Sequence, residues 1–508
     1  MPNKAVLINL PIPDSYRSNF MFGDSLSLAS IAQCLIPNKI DVAIYDCLIH
    51  QWSIDELVGR IGEFDFAGIS IMDYDESAIE KAKEVIANLL KLNPAAYITV
   101  GGAGPTLNAK KYLELNVNSV AEGSNIFNLS MVLEDAENFE KSGVTSRTAK
   151  IIDINNPRGK NFRYSTIYRP DLSLAFEMDR IICTESSKGC YGGCKFCSIH
   201  YEHNCNWIPR DLDCLLSEID YVKESLPSCT EIRFIDANFL GGGSKNNERV
   251  SSISKHLKGK QINYRIECRV NDVCEEMFIE LKENGLVGVY LGIENSDQNV
   301  LYKLNKGISA KETIKAVSIL KNLRISYSYG FIMITPFSSH DSICENINFL
   351  KEIEYGVRWK HLFSKLILLK EQVFDVNKPI ENYELKPGYH CEDETCSKLL
   401  YFYEIFRNNF LHVLELEHIV GASIKRGKEV RDERFWQLDK DLSDLCLNIF
   451  ESLLSKIRSV KFEHDDIYTL TQHYMMILDD GLNLLLDKIK LFGLEESVMM
   501  KALEEHIR

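Results

Sequence analysis

Ser186-Ser187-Lys188-Gly189-Cys190-Tyr191-Gly192-Gly193-Cys194-Lys195-Phe196-Cys197 places three cysteines within eight residues, in the spacing Cys-x3-Cys-x2-Cys, directly after the β-rich run Arg180–Thr184. Thiolates bind iron–sulfur clusters, and three closely spaced ones with glycines between them wrap one cubane while leaving its fourth iron without a cysteine. An open iron implies chemistry. A structural zinc site is the competing reading, because His200 follows Cys197 by three residues and completes a Cys3His set. Structural zinc loops usually pair two separated knuckles, whereas this loop sits on one turn at a strand end; spacing alone leaves both readings open.

Around this loop the chain reads as three regions. From Arg180 a β/α series has candidate strands at Arg180–Thr184, Glu231–Ile235, Tyr264–Cys268, Val287–Gly292, Tyr327–Ile334 and His361–Leu369. Six such units predict a full or partial barrel over residues 179–381, with chemistry at the carboxyl ends of its strands. Upstream, residues 1–125 alternate short strands (Val6–Leu10, Val42–Tyr45, Ala67–Ile71, Tyr97–Val100, Ser119–Ala121) with helical segments (Ser25–Leu35, Ile54–Ile61, Ala78–Leu90, Ala109–Leu115). That alternation predicts a Rossmann-like α/β domain with a parallel sheet covered on both faces. Residues 126–178, punctuated by Asn155-Asn156-Pro157-Arg158-Gly159 and Arg169-Pro170-Asp171, read as a linker. From residue 382 helical periodicity takes over (Leu442, Leu445, Ile449, Leu453, Ile457, then Leu482, Leu485, Ile489, Phe492), predicting a helical C-terminal cap over 382–508.

Bulk composition narrows the function. The chain has 508 residues, is 45% hydrophobic and 26% charged, and is long enough for about three folded domains. Its net charge of −15 provides no field for gathering phosphate backbones or anionic lipid. No apolar run approaches the ~18 residues of a spanning helix, and the stretch before Pro11 is too short for a signal-peptide core. Fifteen cysteines without an export signal read as thiols in a reducing compartment, so the expected location is cytoplasmic, with no nucleic-acid or membrane partner.

The cysteine loop, with Phe196 in the aromatic position, resembles the Cys-x3-Cys-x-aromatic-Cys signature of the radical S-adenosylmethionine (SAM) superfamily. The resemblance implies a [4Fe–4S] cluster on Cys190, Cys194 and Cys197, with the amino and carboxylate groups of SAM on the open iron and a 5′-deoxyadenosyl radical as product of one-electron cleavage. Phe234-Ile235-Asp236-Ala237-Asn238-Phe239 resembles the second-strand segment near the methionine amino group, and Ile266–Asn271 the third, with Arg269 facing the SAM carboxylate or ribose. Leu291–Asn295, with Lys306-Gly307 beyond it, resembles the ribose segment carrying Glu294, and Gly330–Met333 the fifth strand, which puts Met333 beside adenine. Gly243 and Ser244 stand where the superfamily usually has an acid. Taken one by one, Asp236 and Glu294 also read as ordinary strand-end polar groups, Arg269 as a surface salt bridge and Met333 as core.

The N-terminal domain resembles the cobalamin-binding domain of the B12-dependent branch of that superfamily. Gly68–Met72 with Ser70, the pair Gly101-Gly102, and the turn Glu122-Gly123-Ser124 carry the likeness. Small residues there (Ser70, Gly101, Gly102, Gly123) imply a crevice for a nucleotide tail. A nicotinamide dinucleotide site at Gly102-Ala103-Gly104 fails, because position 107 is Leu and the loop follows the fourth strand instead of the first. The Asp-x-His-x-x-Gly motif that ligates cobalt is absent; Asp46 and His50 have the wrong spacing, so His50 reads as a surface or ribose-contact residue.

These resemblances imply a cobalamin-dependent radical SAM methyltransferase acting on an unactivated carbon of a small metabolite or peptide, fed electrons by a flavodoxin or ferredoxin. The alternatives are a radical SAM rearrangement, cyclisation or oxidation without methyl transfer, and a zinc-stabilised binding protein. A methylthiotransferase is disfavoured because the N-terminal domain holds only Cys34 and Cys47, and an extra C-terminal cluster domain because the tail offers only Cys391, Cys396 and Cys446.

Overall fold

The computed structural model describes residues 2–11, 26–50, 52–71, 76–123, 129–143, 146–154, 182–203, 205–242, 246–353, 356–368, 389–429 and 433–492. Expectations on Ser25, Met72, Ser124, the turns at 155–159 and 169–171, Arg180, Gly243, Ser244, Leu369 and the boundary at 381–382 lie outside these residues. The chain divides into two compact units, Met1–Leu291 with Ile319–Ser328, and Gly292–Ser318 with Tyr329–Arg508.

The first unit opens with a parallel sheet of six strands: β1 (Lys4–Asn9), β2 (Asp41–Asp46), β3 (Phe66–Ser70), β4 (Tyr97–Gly101), β5 (Ser119–Glu122) and β6 (Lys150–Asp153). Their order is β2-β1-β3-β4-β5-β6. A strand buried on both faces needs a continuous apolar run, and Ala5–Ile8 in β1 supplies one. Side chains alternate across the pleat: Ala5 and Leu7 join a core with Leu28, Ala32 and Leu35, while Val6 and Ile8 join the opposite core with Val85, Ile86 and Leu89. Because strand order reverses between β1 and β3, the helices cover both faces and a crevice opens beyond the carboxyl ends of the strands.

Two details differ from the sequence expectation. The helix after β4 begins at Ala103, and Ala109–Tyr112 is a tighter 3-10 turn, because the chain enters the helix straight from the Gly101-Gly102 pair. Within the stretch read as linker, helix Leu129–Ser142 and β6 extend the domain, with β6 paired in register to β5 (Val120 to Ile151, Ala121 to Ile152). Four residues of β-structure ending in mixed polarity carry too little periodicity to stand out in sequence.

The second sheet has five strands, in the order β13-β12-β11-β10-β7: β7 (Cys183–Thr184), β10 (Glu231–Phe234), β11 (Asn263–Arg269), β12 (Leu286–Glu294) and β13 (Ser326–Phe331). Between β7 and β10 a hairpin is inserted, β8 (Ser187–Gly189) antiparallel to β9 (Trp207–Pro209). The sixth expected strand, His361–Leu369, does not form over its described residues: Trp359–Leu362 is a short helix, and only a single parallel bridge, Ile334 to Lys365, stands in the sixth place. Buried Trp359, His361 and Leu362 explain the misreading, since a short apolar run cannot distinguish strand from buried helix.

In the second unit, the expected helical region forms helices Glu394–Asn409, Leu411–Glu429, Glu433–Ile457 and His464–Leu491 among the described residues. Their buried faces follow the expected spacing, except that Cys446 rather than Leu445 is fully buried and Phe492, just past the last helix, is half-buried. No helix among the described residues is long and apolar enough to cross a membrane.

Candidate active site

The cysteine loop hangs between β8 and helix Ser198–His203. Cys194 is buried, while Cys190 and Cys197 are half-exposed. Two N–H groups point at sulfur: the Gly192 amide lies 3.4 Å from Cys190 Sγ, and Arg269 Nη1, from the end of β11, lies 3.3 Å from Cys194 Sγ. Gly192 leaves room for that arginine, since a Cβ there would collide with Arg269 Nη1 where it now lies. The guanidinium also lies over the Tyr191 ring, 5.4 Å from its centroid. Tyr191 in turn donates to Asp272 at 2.7 Å, and Asn238 Nδ2 donates to the other oxygen of Asp272 at 2.7 Å.

Donor chemistry therefore fits a cluster: three thiol groups on one loop, with N–H donors and a cation placed to stabilise negative charge on sulfur. His200 Nδ1 lies 3.1 Å from the Sγ of Cys205, a cysteine outside the motif. Among the described residues no three His, Cys, Asp or Glu side chains converge on a single ion. Phe196 is half-buried within the loop.

Asp236, expected beside the methionine amino group, is hydrogen-bonded to the start of the loop-bearing strand. It is 1% exposed, and its carboxylate accepts from the Ser186 amide at 2.9 Å, the Ser186 hydroxyl at 2.6 Å and the Ser187 hydroxyl. Burial pushes its pKa up to about 6, against the lowering effect of the serine donors. The Ser186 carbonyl accepts from the Arg210 amide at 2.9 Å and from Arg249 Nη2 at 2.6 Å, and Arg210 forms a fully buried ion pair with Glu218. Asp236 thus positions the strand that leads into the loop, because one of its oxygens accepts from the Ser186 amide and the other from the Ser186 and Ser187 hydroxyls. Sequence reasoning missed the roles of Ser186, Ser187, Arg210 and Arg249; only the two serines stood next to the cysteine motif.

In the second unit, Glu294 ends β12 in a left-handed backbone conformation (φ 69°) and accepts from Lys306 Nζ at 2.8 Å, with both side chains nearly buried. Gly292 makes room for this pair, since a Cβ there would stand 2.5 Å from Lys306 Nζ. Met333 is fully buried, and its amide donates to Ser364 Oγ at 3.0 Å. Its side chain stands in the core.

The four small residues expected in the N-terminal crevice come together. Ser70, Gly101, Gly102 and Gly123 line one cavity of about 300 Å³ in the first unit, with an otherwise largely apolar wall that includes Leu7, Ile69, Val100 and Leu129. Thr106, missed in sequence, ties two of them together: its hydroxyl donates to the Gly102 carbonyl at 2.7 Å and accepts from the Gly123 amide at 3.2 Å. Glu185 and Lys188 also line the cavity, and Lys188 precedes Cys190 by two residues. His50 is not part of this wall; it stacks on Trp52 at a centroid distance of 4.0 Å.

Comparison with known proteins agrees with this geometry. Residues 184–350 match the model of the radical SAM superfamily. The chain is 24% identical over 351 residues to an uncharacterized methyltransferase of Pyrococcus horikoshii, covering 65% of this chain and 74% of that one. The structure resembles OxsB, a cobalamin-dependent S-adenosylmethionine radical enzyme solved with aqua-cobalamin and SAM bound, with TM-score 0.67 and 13% identity over 99% of this chain and 83% of OxsB. It also resembles TsrM of Kitasatospora setae, a radical SAM methyltransferase solved with cobalamin and a [4Fe–4S] cluster, with TM-score 0.56 and 12% identity over 70% of this chain and 71% of TsrM. Three cysteines on a strand-end loop, a β/α sheet around them and a doubly wound domain ahead of them thus have one common explanation: the chain carries a radical SAM domain over residues 184–350 and has the fold of the cobalamin-dependent radical SAM enzymes.

Proposed function

We propose that this protein is a cobalamin-dependent radical SAM methyltransferase that methylates an unactivated carbon of a small metabolite or peptide. The observation that carries the reading is that one stretch of chain borders both features: Glu185 and Lys188 stand on the wall of the apolar cavity, and the cysteine loop begins at Cys190. The apolar cavity, which on this reading takes the cobalamin nucleotide tail, and the cysteine loop belong to one unit. When bound, the cofactors supply reductive cleavage of SAM to methionine and a 5′-deoxyadenosyl radical, and a cobalt-borne methyl group for the substrate.

The chain's own part in this reading is positional. Cys190, Cys194 and Cys197 hold three irons, and the Asp236–Ser186–Ser187 hydrogen bonds fix the strand that presents them. Phe196 and Glu294 stay assigned to SAM, with Lys306 orienting the Glu294 carboxylate. The apolar cavity wall accepts a flat heteroaromatic base and keeps water from it. Lacking an Asp-x-His-x-x-Gly motif, the N-terminal domain offers cobalt no histidine from that position. A flavodoxin or ferredoxin supplies the electron.

SAM bearing a deuterated methyl group tests the proposal on reconstituted protein supplied with hydroxocobalamin and candidate substrates. Label in the product supports methyl transfer. Deoxyadenosine formation and substrate turnover without label would replace the proposal with a rearrangement, cyclisation or oxidation.

A further inference from the structure

We propose that Arg269 sets the reduction potential of the cluster through Cys194, instead of holding the SAM carboxylate. The inference rests on the reading that Cys190, Cys194 and Cys197 bind a [4Fe–4S] cluster. Arg269 Nη1 reaches Cys194 Sγ at 3.3 Å, and Cys194 is the most buried of the three cysteines. Three further features hold the guanidinium there. Nε donates to Asn271 Oδ1 at 3.3 Å, the Tyr191 ring lies beneath it, and Gly192 lacks the Cβ that would collide with Nη1. Tyr191 is itself held, through its hydroxyl on Asp272 and by Gly242, where a Cβ would stand 2.5 Å from the ring.

One-electron reduction adds a negative charge that the cluster shares with its thiolate sulfurs. A cationic N–H donor on one sulfur stabilises the reduced form more than the oxidised form and raises the potential. At a buried sulfur the effect is screened less than at the surface. Arg269, 7% exposed, is therefore placed to ease electron entry before SAM is cleaved.

The test is a mediated redox titration of anaerobically reconstituted full-length protein without SAM, followed by EPR, on wild type, Arg269→Met and Arg269→Lys. Iron and sulfide are counted on each sample, and SAM affinity is measured separately. Arg269→Met is expected to retain its iron while its reduced-to-oxidised ratio, poised at the wild-type midpoint, falls at least tenfold, a shift of about 59 mV for one electron. Arg269→Lys, which keeps the charge but not the planar donor, should fall between. An unchanged midpoint in an iron-replete Arg269→Met protein overturns the inference, and weakened SAM binding alone would return Arg269 to the carboxylate. Loss of iron from both variants also overturns it, since Arg269 would then hold the loop and not tune it. Absence of iron from wild type would instead sink the cluster reading beneath it.

Discussion

Gly102 is pressed against the backbone of Ile71: a Cβ on Gly102 would stand 2.7 Å from the Ile71 carbonyl oxygen and 3.0 Å from its amide nitrogen. With φ at 102°, the position is closed to other residues by conformation as well as by contact. A side chain at Gly102 therefore strikes the sheet and does not enter the crevice. At neighbouring Gly101 a Cβ meets only Ala121, at an ordinary 3.6 Å, and the residue lines the same cavity.

Gly101→Leu is accordingly expected to leave the domain folded and the iron–sulfur spectrum intact while abolishing corrinoid retention on gel filtration. Gly102→Ala should lower stability by at least ~1 kcal/mol in thermal unfolding, whatever is bound. His50→Ala should retain both cofactors. Wild-type protein that emerges from excess hydroxocobalamin without corrinoid absorbance would exclude a cobalamin role for this domain.

Replacing Cys190, Cys194 or Cys197 with Ala should abolish the brown colour and SAM cleavage, from a wild-type content of about four irons per chain. His200→Ala should keep the cluster, because His200 lies against Cys205. Stoichiometric zinc with no iron after anaerobic purification would contradict the enzyme reading.

Asp236 predicts a pH dependence of stability. Its pKa is raised by burial to about 6 from an unfolded value near 3.8, so between these values the folded state binds more protons than the unfolded. Stability contributed at this site is therefore greatest below pH ~4, falls as pH rises to ~6, and is flat beyond, a change of about 3 kcal/mol. Denaturant titrations from pH 4 to 7 should show this slope in wild type and lose it in Asp236→Asn. An identical slope in both would assign it to other groups.

The Glu294–Lys306 pair separates structure from binding. Breaking a nearly buried pair strands the remaining charge, so Lys306→Met alone should cost roughly 3–5 kcal/mol of stability. Adding Glu294→Gln should recover much of that loss. SAM affinity should stay reduced about ten- to a hundredfold in the double variant, because the carboxylate proposed to meet SAM is gone. Full affinity in a folded double variant would move the ribose site elsewhere.

Local chemistry alone determined most of the fold. Continuous apolar runs such as Ala5–Ile8 announced strands buried on both faces, periodic spacing announced the C-terminal helices, and three cysteines with intervening glycines announced a metal-binding loop. Small residues at strand ends were legible for the same reason: parallel sheets put ligands at one edge, so Ser70, Gly101, Gly102 and Gly123 had to share it. What only the tertiary structure decided is where polar side chains point. Asp236 and Arg269 stand at the expected strand ends, but burial forces each to satisfy its charge on the nearest available groups, Ser186 and Ser187 for one and Cys194 for the other. Those partners lie 50 and 75 residues away in the chain, a distance over which sequence periodicity carries no information. The same reason hid the sixth strand's reduction to one bridge at Lys365, since strand and buried helix compete for the same apolar residues until long-range packing selects between them.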